Sequence, residues 1–358
     1  MEKNFTKDGL ILLNKSKGVS SFGAINHLKK VMKAKKVGHA GTLDPMAEGL
    51  MIVMINEATK FSDNLMKKDK EYYVEMELGY KTDTYDLEGT VIAKYDSEIN
   101  ISDSEIIQAV NSFKGKIKQV PPMYSAIKVE GQKLYDLARK GIEVERAERN
   151  VEISEIREIK VIRPDKNSEN AQNIKISFYV KVSSGTYIRS LVYDIGEKLG
   201  VFATMTRLVR TKIGRFEIED AITLEKAKAE IDKLKNLMEG KTENESFWAT
   251  KSDSDTRAEK IREIVCFVEI EYVLDYYGIN VSNVKYGKLK NGMTVIDTFK
   301  KFENISKEAS KGANVRENQK FKIYVRNKNT NVREFKGIVK IVNIRGDRIY
   351  LKRDKYFL

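Results

Sequence analysis

The spacing of apolar residues changes several times along the chain, and each change predicts an element. Residues 10–13 form a short apolar run that reads as a strand. After a loop at 15–18, Ser20 or Ser21 is placed to cap a helix whose Ile25, Leu28, Val31 and Met32 share one face. The stretch from Val37 through Gly38, His39 and Gly41 to Asp44, Pro45 and Met46 has neither period, so it reads as a loop feeding a buried strand at 50–55. From Glu71 the residues alternate, with Tyr72, Val74, Met76 and Leu78 inward and Tyr73, Glu75 and Glu77 outward. A turn at Asp86-Leu87-Glu88-Gly89 leads to a partner strand near 90–93, and 102–113 is a capped amphipathic helix. A second alternation at Ile174, Ile176, Phe178, Val180 and Val182 stops at Ser183-Ser184-Gly185. There Thr186 is expected to cap a helix with Ile188, Leu191, Val192, Ile195 and Leu199 inward.

Strands and helices mixed in this way predict an α+β body over 1–238. Within it, 119–149 reads as an excursion, with Pro121-Pro122 at its start, several lysines and a short helical pattern at 134–139. Residues 239–263 turn polar and lose periodicity, as a linker does. Beyond them, short apolar runs at 265–270, 294–296, 322–325, 337–343 and 348–351 predict a small, mostly β second domain over 264–358. There is no repeat at solenoid periods.

Charge refines that division. The formal net charge is +13, yet residues 281–358 hold 20 Lys and Arg against 7 Asp and Glu, leaving 45 of each sign before them. The basic excess therefore belongs to the second domain and favours a polyanionic partner. The N-terminus lacks a signal-peptide layout, and no apolar run is long enough to cross a bilayer, so a cytoplasmic protein is expected. One cysteine and two histidines argue against a disulfide framework and against a protein-built metal site. Chemistry must then rest on carboxylate, tyrosine, arginine or lysine.

Candidate residues are ambiguous one at a time. Asp44-Pro45 alone is a turn signal. Arg189 is odder, because a cation in the first turn of a helix opposes the helix dipole by several tenths of a kcal/mol, and a nearby anion would offset that. His39 fits a plain loop residue, and an inward Tyr72 fits a plain core residue.

Taken together, the motifs are more specific. Gly38-His39-Ala40-Gly41-Thr42-Leu43-Asp44-Pro45, continuing through Ala47-x-Gly49 to Glu57-Ala58-Thr59-Lys60-Phe61, resembles the signature of the TruB family of tRNA pseudouridine synthases. Lys70-Glu71-Tyr72, Gly79-x-x-Thr82-Asp83-Thr84-x-Asp86-x-x-Gly89, Pro122-Met123-Tyr124-Ser125-Ala126, Tyr135-x-x-Ala138-Arg139-x-Gly141 and Ser184-Gly185-Thr186-Tyr187-Ile188-Arg189 follow in the family's order, over roughly residues 8–225. Two positions depart from the pattern: Asn14-Lys15-Ser16 stands where the family has Asp-Lys-Pro, and Leu208-Val209-Arg210 where it has Leu-Arg-Arg.

The resemblance implies a catalytic domain with a mixed, largely antiparallel central sheet flanked by helices, and a PUA-like RNA-binding domain at the C-terminus. It implies that a uridine in the T arm of tRNA is flipped out and isomerised by Asp44, with no cofactor and no metal. His39, Tyr72, Tyr187, Arg189 and Leu208 would surround the base, Arg189 keeping the carboxylate ionised. Lys15, Lys60, Tyr124, Lys128, Lys133, Arg139 and Arg210 would contact the RNA. The 119–149 excursion favours a stand-alone monomer without a protein partner over a guide-RNA-dependent relative. A non-catalytic tRNA-folding protein on the same scaffold would have lost the carboxylate, whereas Asp44, Tyr72 and Arg189 are all present.

Overall fold

A computed structural model describes residues 8–129, 131–164, 174–229, 267–273, 276–298, 315–327 and 329–357, with Asp232 and Phe302 besides. The expected 239–263 linker lies outside the described residues. The chain divides into two compact units. One comprises 11–55 and 61–267, and the other 268–358 with the short pieces Asp8–Leu10 and Asn56–Lys60.

The first unit is built on a mixed sheet whose strands run in the order Ile222–Thr223, Gly9–Lys15, Glu48–Ile55, Ala203–Ile213, Lys70–Leu78, Lys175–Val182, Arg149–Ile162, Gly115–Gln119. The pairings from Ala203–Ile213 onward are antiparallel, whereas Glu48–Ile55 pairs with Ala203–Ile213 in parallel. Alternation set the faces of Lys70–Leu78: Tyr72, Val74, Met76 and Leu78 are all buried. They join one core with Phe178, Val180, Leu191, Val192 and Ile195, so the sheet packs against the Ile188–Leu199 helix. That helix sits close to the sheet, because a Cβ on Gly196 would lie 2.3 Å from the Ala203 amide nitrogen.

Helix starts follow their caps. Ser20 accepts from the Gly23 amide and opens Ser21–Met32. Ser102 and Glu105 form a reciprocal capping box on Asp103–Asn111, a device worth about 1 kcal/mol. Three expectations need correction. Val37–His39 is a short strand antiparallel to Glu48–Ile55, too short for its period to show. Val91–Lys94 pairs with Tyr80–Thr82 rather than with the long Lys70–Leu78 strand. Thr186 does not cap its helix: its hydroxyl donates back to the Ser183 carbonyl at 2.9 Å, and the cap position falls to Tyr187.

The second unit holds a sheet ordered Tyr277–Asn280, Lys320–Arg326, Arg333–Arg345, Arg348–Phe357, Val295–Thr298. Its core gathers Ile279, Leu289, Phe302, Phe321, Ile323, Val339 and Leu351. The Asn283–Lys290 helix is capped by Ser282 and carries Lys288 and Lys290 in its last turn, where cations suit the dipole. Among the described residues no helix is long and apolar enough to cross a membrane.

Candidate active site

The loop between Val37–His39 and Glu48–Ile55 carries Asp44, and the surrounding structure fixes it from several sides. The Ser21 hydroxyl donates to the Leu43 carbonyl at 2.7 Å and accepts from the Leu43 amide at 2.8 Å. The Gly18 amide donates to the Pro45 carbonyl at 2.8 Å, and the Asp44 carbonyl accepts from the Ala47 amide. Gly49 lets the following strand approach, since a Cβ there would sit 2.4 Å from the Arg210 carbonyl oxygen. Its φ of +106° also suits glycine alone.

Two buried cations complete the brace. Arg210, 1% exposed, donates through its Nε to Leu50 and through its two terminal nitrogens to the Thr42 and Gly41 carbonyls. Lys15, 0% exposed, donates to the carbonyls of Ser16, Val19 and Pro45. Both were expected to contact RNA; in the structure their charges are spent on main-chain carbonyls inside the protein. Burial lowers the Lys15 ammonium to about 8, against the pull of Asp44 and Glu48. Lys15 also closes the 15–18 loop where Ser16 replaces the family proline.

The Asp44 carboxylate, 39% exposed, receives the Arg189 Nε at 2.9 Å. Arg189 is buried and fully engaged: one terminal nitrogen donates to the Thr84 carbonyl at 3.1 Å, the other to the Tyr124 carbonyl at 2.8 Å. A second carboxylate, Asp86, lies 3.6 Å from the Arg189 Nε. Burial raises Asp86, while the Thr84 hydroxyl at 2.6 Å and the guanidinium act the other way. The cation in the first helical turn thus has the anions its position demanded. One side chain joins three motifs far apart in sequence.

Beside this pair opens a cavity of about 340 Å³, within the size range of small-ligand sites. Asp44, Tyr72, Tyr187, Arg189, Leu208 and Arg210 line it, together with Lys70, Met66 and Val182. Sheet register explains the grouping: Tyr72 lies between Val180 and Arg210 of the neighbouring strands, and Leu208 pairs with Val74. Tyr187 is set by Gln119, whose side-chain oxygen accepts from the Tyr187 amide at 2.8 Å while its nitrogen donates to the Tyr187 carbonyl at 3.0 Å. Burial pushes the Tyr187 phenol up.

His39 is not on the cavity wall. Its Nδ1 accepts the Gly41 amide at 3.3 Å, and burial, aided by Arg210, lowers its basicity. Tyr124 offers its carbonyl to Arg189 and its hydroxyl to Asp83 at 3.4 Å. Lys60 is exposed and pairs with Glu57, and Arg139 is exposed beside the Tyr135 ring. Lys128 and Lys133 face each other across a short hairpin, their side chains lying outside what is described. Sequence reasoning passed over Asp86 and Lys70, although both stand in the quoted motifs. Lys70 is buried, donates to the Met66 and Lys68 carbonyls at 2.5 and 2.6 Å, and is lowered to about 8 by burial.

The fold matches a chain in the crystal structure of a Cbf5-Nop10-Gar1 complex with a TM-score of 0.57 at 22% identity, covering 97% of this chain and 85% of that one. A chain in the archaeal box H/ACA sRNP Nop10-Cbf5 complex gives 0.58 at 20%. Both likenesses show a shared fold. Residues 29–188 match the N-terminal domain of TruB family pseudouridylate synthases, and 189–243 match the tRNA pseudouridylate synthase B C-terminal domain. The tRNA pseudouridine synthase B of Fusobacterium nucleatum is 50% identical over 212 residues, 59% of this chain and 70% of the relative. That of Clostridium perfringens is 46% identical over 291 residues, 81% and 85% of the two chains. The chain belongs to the TruB family of pseudouridine synthases.

Proposed function

We propose that the protein isomerises one uridine in the T loop of tRNA to pseudouridine, with Asp44 as the essential carboxylate and Arg189 as the group that orients it. The observation that carries this reading is the 2.9 Å contact between a buried guanidinium and a carboxylate that stays open to the cavity. A uridine stacked in a folded loop cannot reach that carboxylate, so it must be flipped out, at a cost of a few kcal/mol in stacking. Tyr72 stacks on the extruded base and Leu208 closes the wall.

The bond from uracil N1 to the sugar C1′ breaks, the ring turns, and C5 bonds to C1′. C5 then gives up its proton while N1 gains one, so no oxidant, water or phosphate is consumed. Tyr72, on the wall, takes part in removing the C5 proton. The bond-breaking step needs the Asp44 carboxylate whether it attacks the sugar, attacks the ring or abstracts a proton. The 119–149 excursion and the basic, PUA-like C-terminal unit grip the RNA backbone, and the protein works as a monomer on free tRNA in the cytoplasm.

Incubating purified protein with unmodified tRNA transcript, followed by mapping of pseudouridine, tests the reading; a T-loop product without partner proteins is expected. Asp44→Asn is expected to abolish product while tRNA affinity stays within about a few-fold of wild type. Turnover retained by Asp44→Asn would remove the mechanism.

A further inference from the structure

We propose that the stacked rings of Tyr85 and Tyr193 are a positioning device for the Arg189 guanidinium; this rests on the reading of Asp44 and Arg189 given above. Tyr85 sits between the two residues of its loop that grip Arg189. The Thr84 carbonyl accepts from the guanidinium at 3.1 Å, and the Asp86 carboxylate stands 3.6 Å from its Nε. Tyr85 itself has a φ of +65°, a conformation a bulky side chain rarely adopts and one that persists only where the surroundings impose it.

Those surroundings are visible. The Tyr85 ring stacks on Tyr193 at 4.3 Å between centroids and 25° between planes. Tyr193 stands four residues after Arg189, one turn further along the same Ile188–Leu199 helix. The Tyr85 carbonyl accepts from the Met205 amide at 3.1 Å, and its amide donates to the Thr82 carbonyl at 3.3 Å. The helix and the loop therefore meet at two points, a guanidinium contact and a ring contact one turn away. Neither Tyr85 nor Tyr193 lines the cavity, so neither touches the substrate base. Without the ring contact, the loop can shift along the helix, and Arg189 loses its fixed angle to Asp44. Lys81 of the Tyr80–Thr82 strand also lies 5.4 Å from the Tyr193 ring centroid and is tied to Glu197 of the same helix at 3.2 Å.

The test measures kcat and KM on a tRNA transcript, with melting temperature, for Tyr85→Gly, Tyr85→Phe and Tyr193→Ala. Tyr85→Gly keeps the backbone conformation without strain and deletes only the ring. It is expected to lower kcat about tenfold or more while KM stays within about twofold. Tyr85→Phe, which restores the ring, should recover kcat to within about twofold. Tyr193→Ala, which favours the helix, should reproduce the Tyr85→Gly loss, and the double variant should be no worse than the poorer single, as coupled residues behave. Wild-type kcat in stably folded Tyr85→Gly or Tyr193→Ala, or a loss entirely in KM, would overturn the proposal. Asp44→Asn separates the two readings: an active Asp44→Asn removes the role of Asp44, whereas an inactive one beside normal stack variants removes only the stack's role.

Discussion

Lys15 and Arg210 show where single residues resist reading from sequence. A lysine or arginine beside a catalytic motif looks the same whether it faces phosphate or a carbonyl, and only the fold buries these two beneath the Asp44 loop. Arg189 was legible for the opposite reason: a cation in a first helical turn is an electrostatic anomaly, and the two carboxylates near it resolve that anomaly. Its fork reaches a carboxylate and two carbonyls at once, which a single ammonium cannot do. Arg189→Lys should therefore lose about a hundredfold or more in kcat with tRNA affinity little changed, and near-normal turnover would show that the fork is unimportant. His39 carries a pH dependence. Its folded basicity lies below the ordinary value of 6.5, so between those values the unfolded chain holds a proton that the folded chain lacks. Stability from this group is complete above 6.5 and declines as pH falls through the window beneath it. Urea unfolding of wild type and His39→Gln across that window should show a steeper acid loss in wild type; parallel curves would contradict this.

Among elements, the long strands were readable because alternation over five or more residues has no other physical source. Lys70–Leu78 and Lys175–Val182 fall where their inward residues predicted. Short pieces were not readable. Val37–His39 spans too few residues for a period, and Thr186 resembles a cap although the carbonyl three residues earlier captures its hydroxyl. The 119–149 excursion kept its predicted helical turn, Leu134–Ala138, tied to the Ser125 carbonyl through the Tyr135 amide. Its outer part, 139–148, has no regular secondary structure and carries Arg139, Lys140 and Arg146 against Glu143, Glu145 and Glu148. Limited proteolysis should cut within 131–148 in free protein and slow markedly when tRNA is added. Equal cleavage in both conditions would show that the excursion does not engage RNA.

For the molecule as a whole, charge was the most readable property, since a count of residues needs no fold. The C-terminal excess appears in the structure as a helix ending in Lys288 and Lys290, with Arg353 donating to the Lys290 carbonyl at 2.7 Å. Replacing Lys288, Lys290 and Arg353 with glutamine should weaken tRNA binding and flatten the salt dependence by about 0.7 to 0.9 per lost phosphate contact, leaving kcat unchanged. A salt slope equal to that of wild type would remove the C-terminal unit from the RNA footprint. That the short segment Asn56–Lys60 groups with the smaller unit was not readable, because it looks like any loop. One further consequence follows from the Gln119 amide, which meets the backbone of Tyr187 as a neighbouring strand would, across 68 positions of sequence. The root of the excursion and the start of the helix bearing Arg189 are thereby yoked, so that neither can be displaced without straining the other.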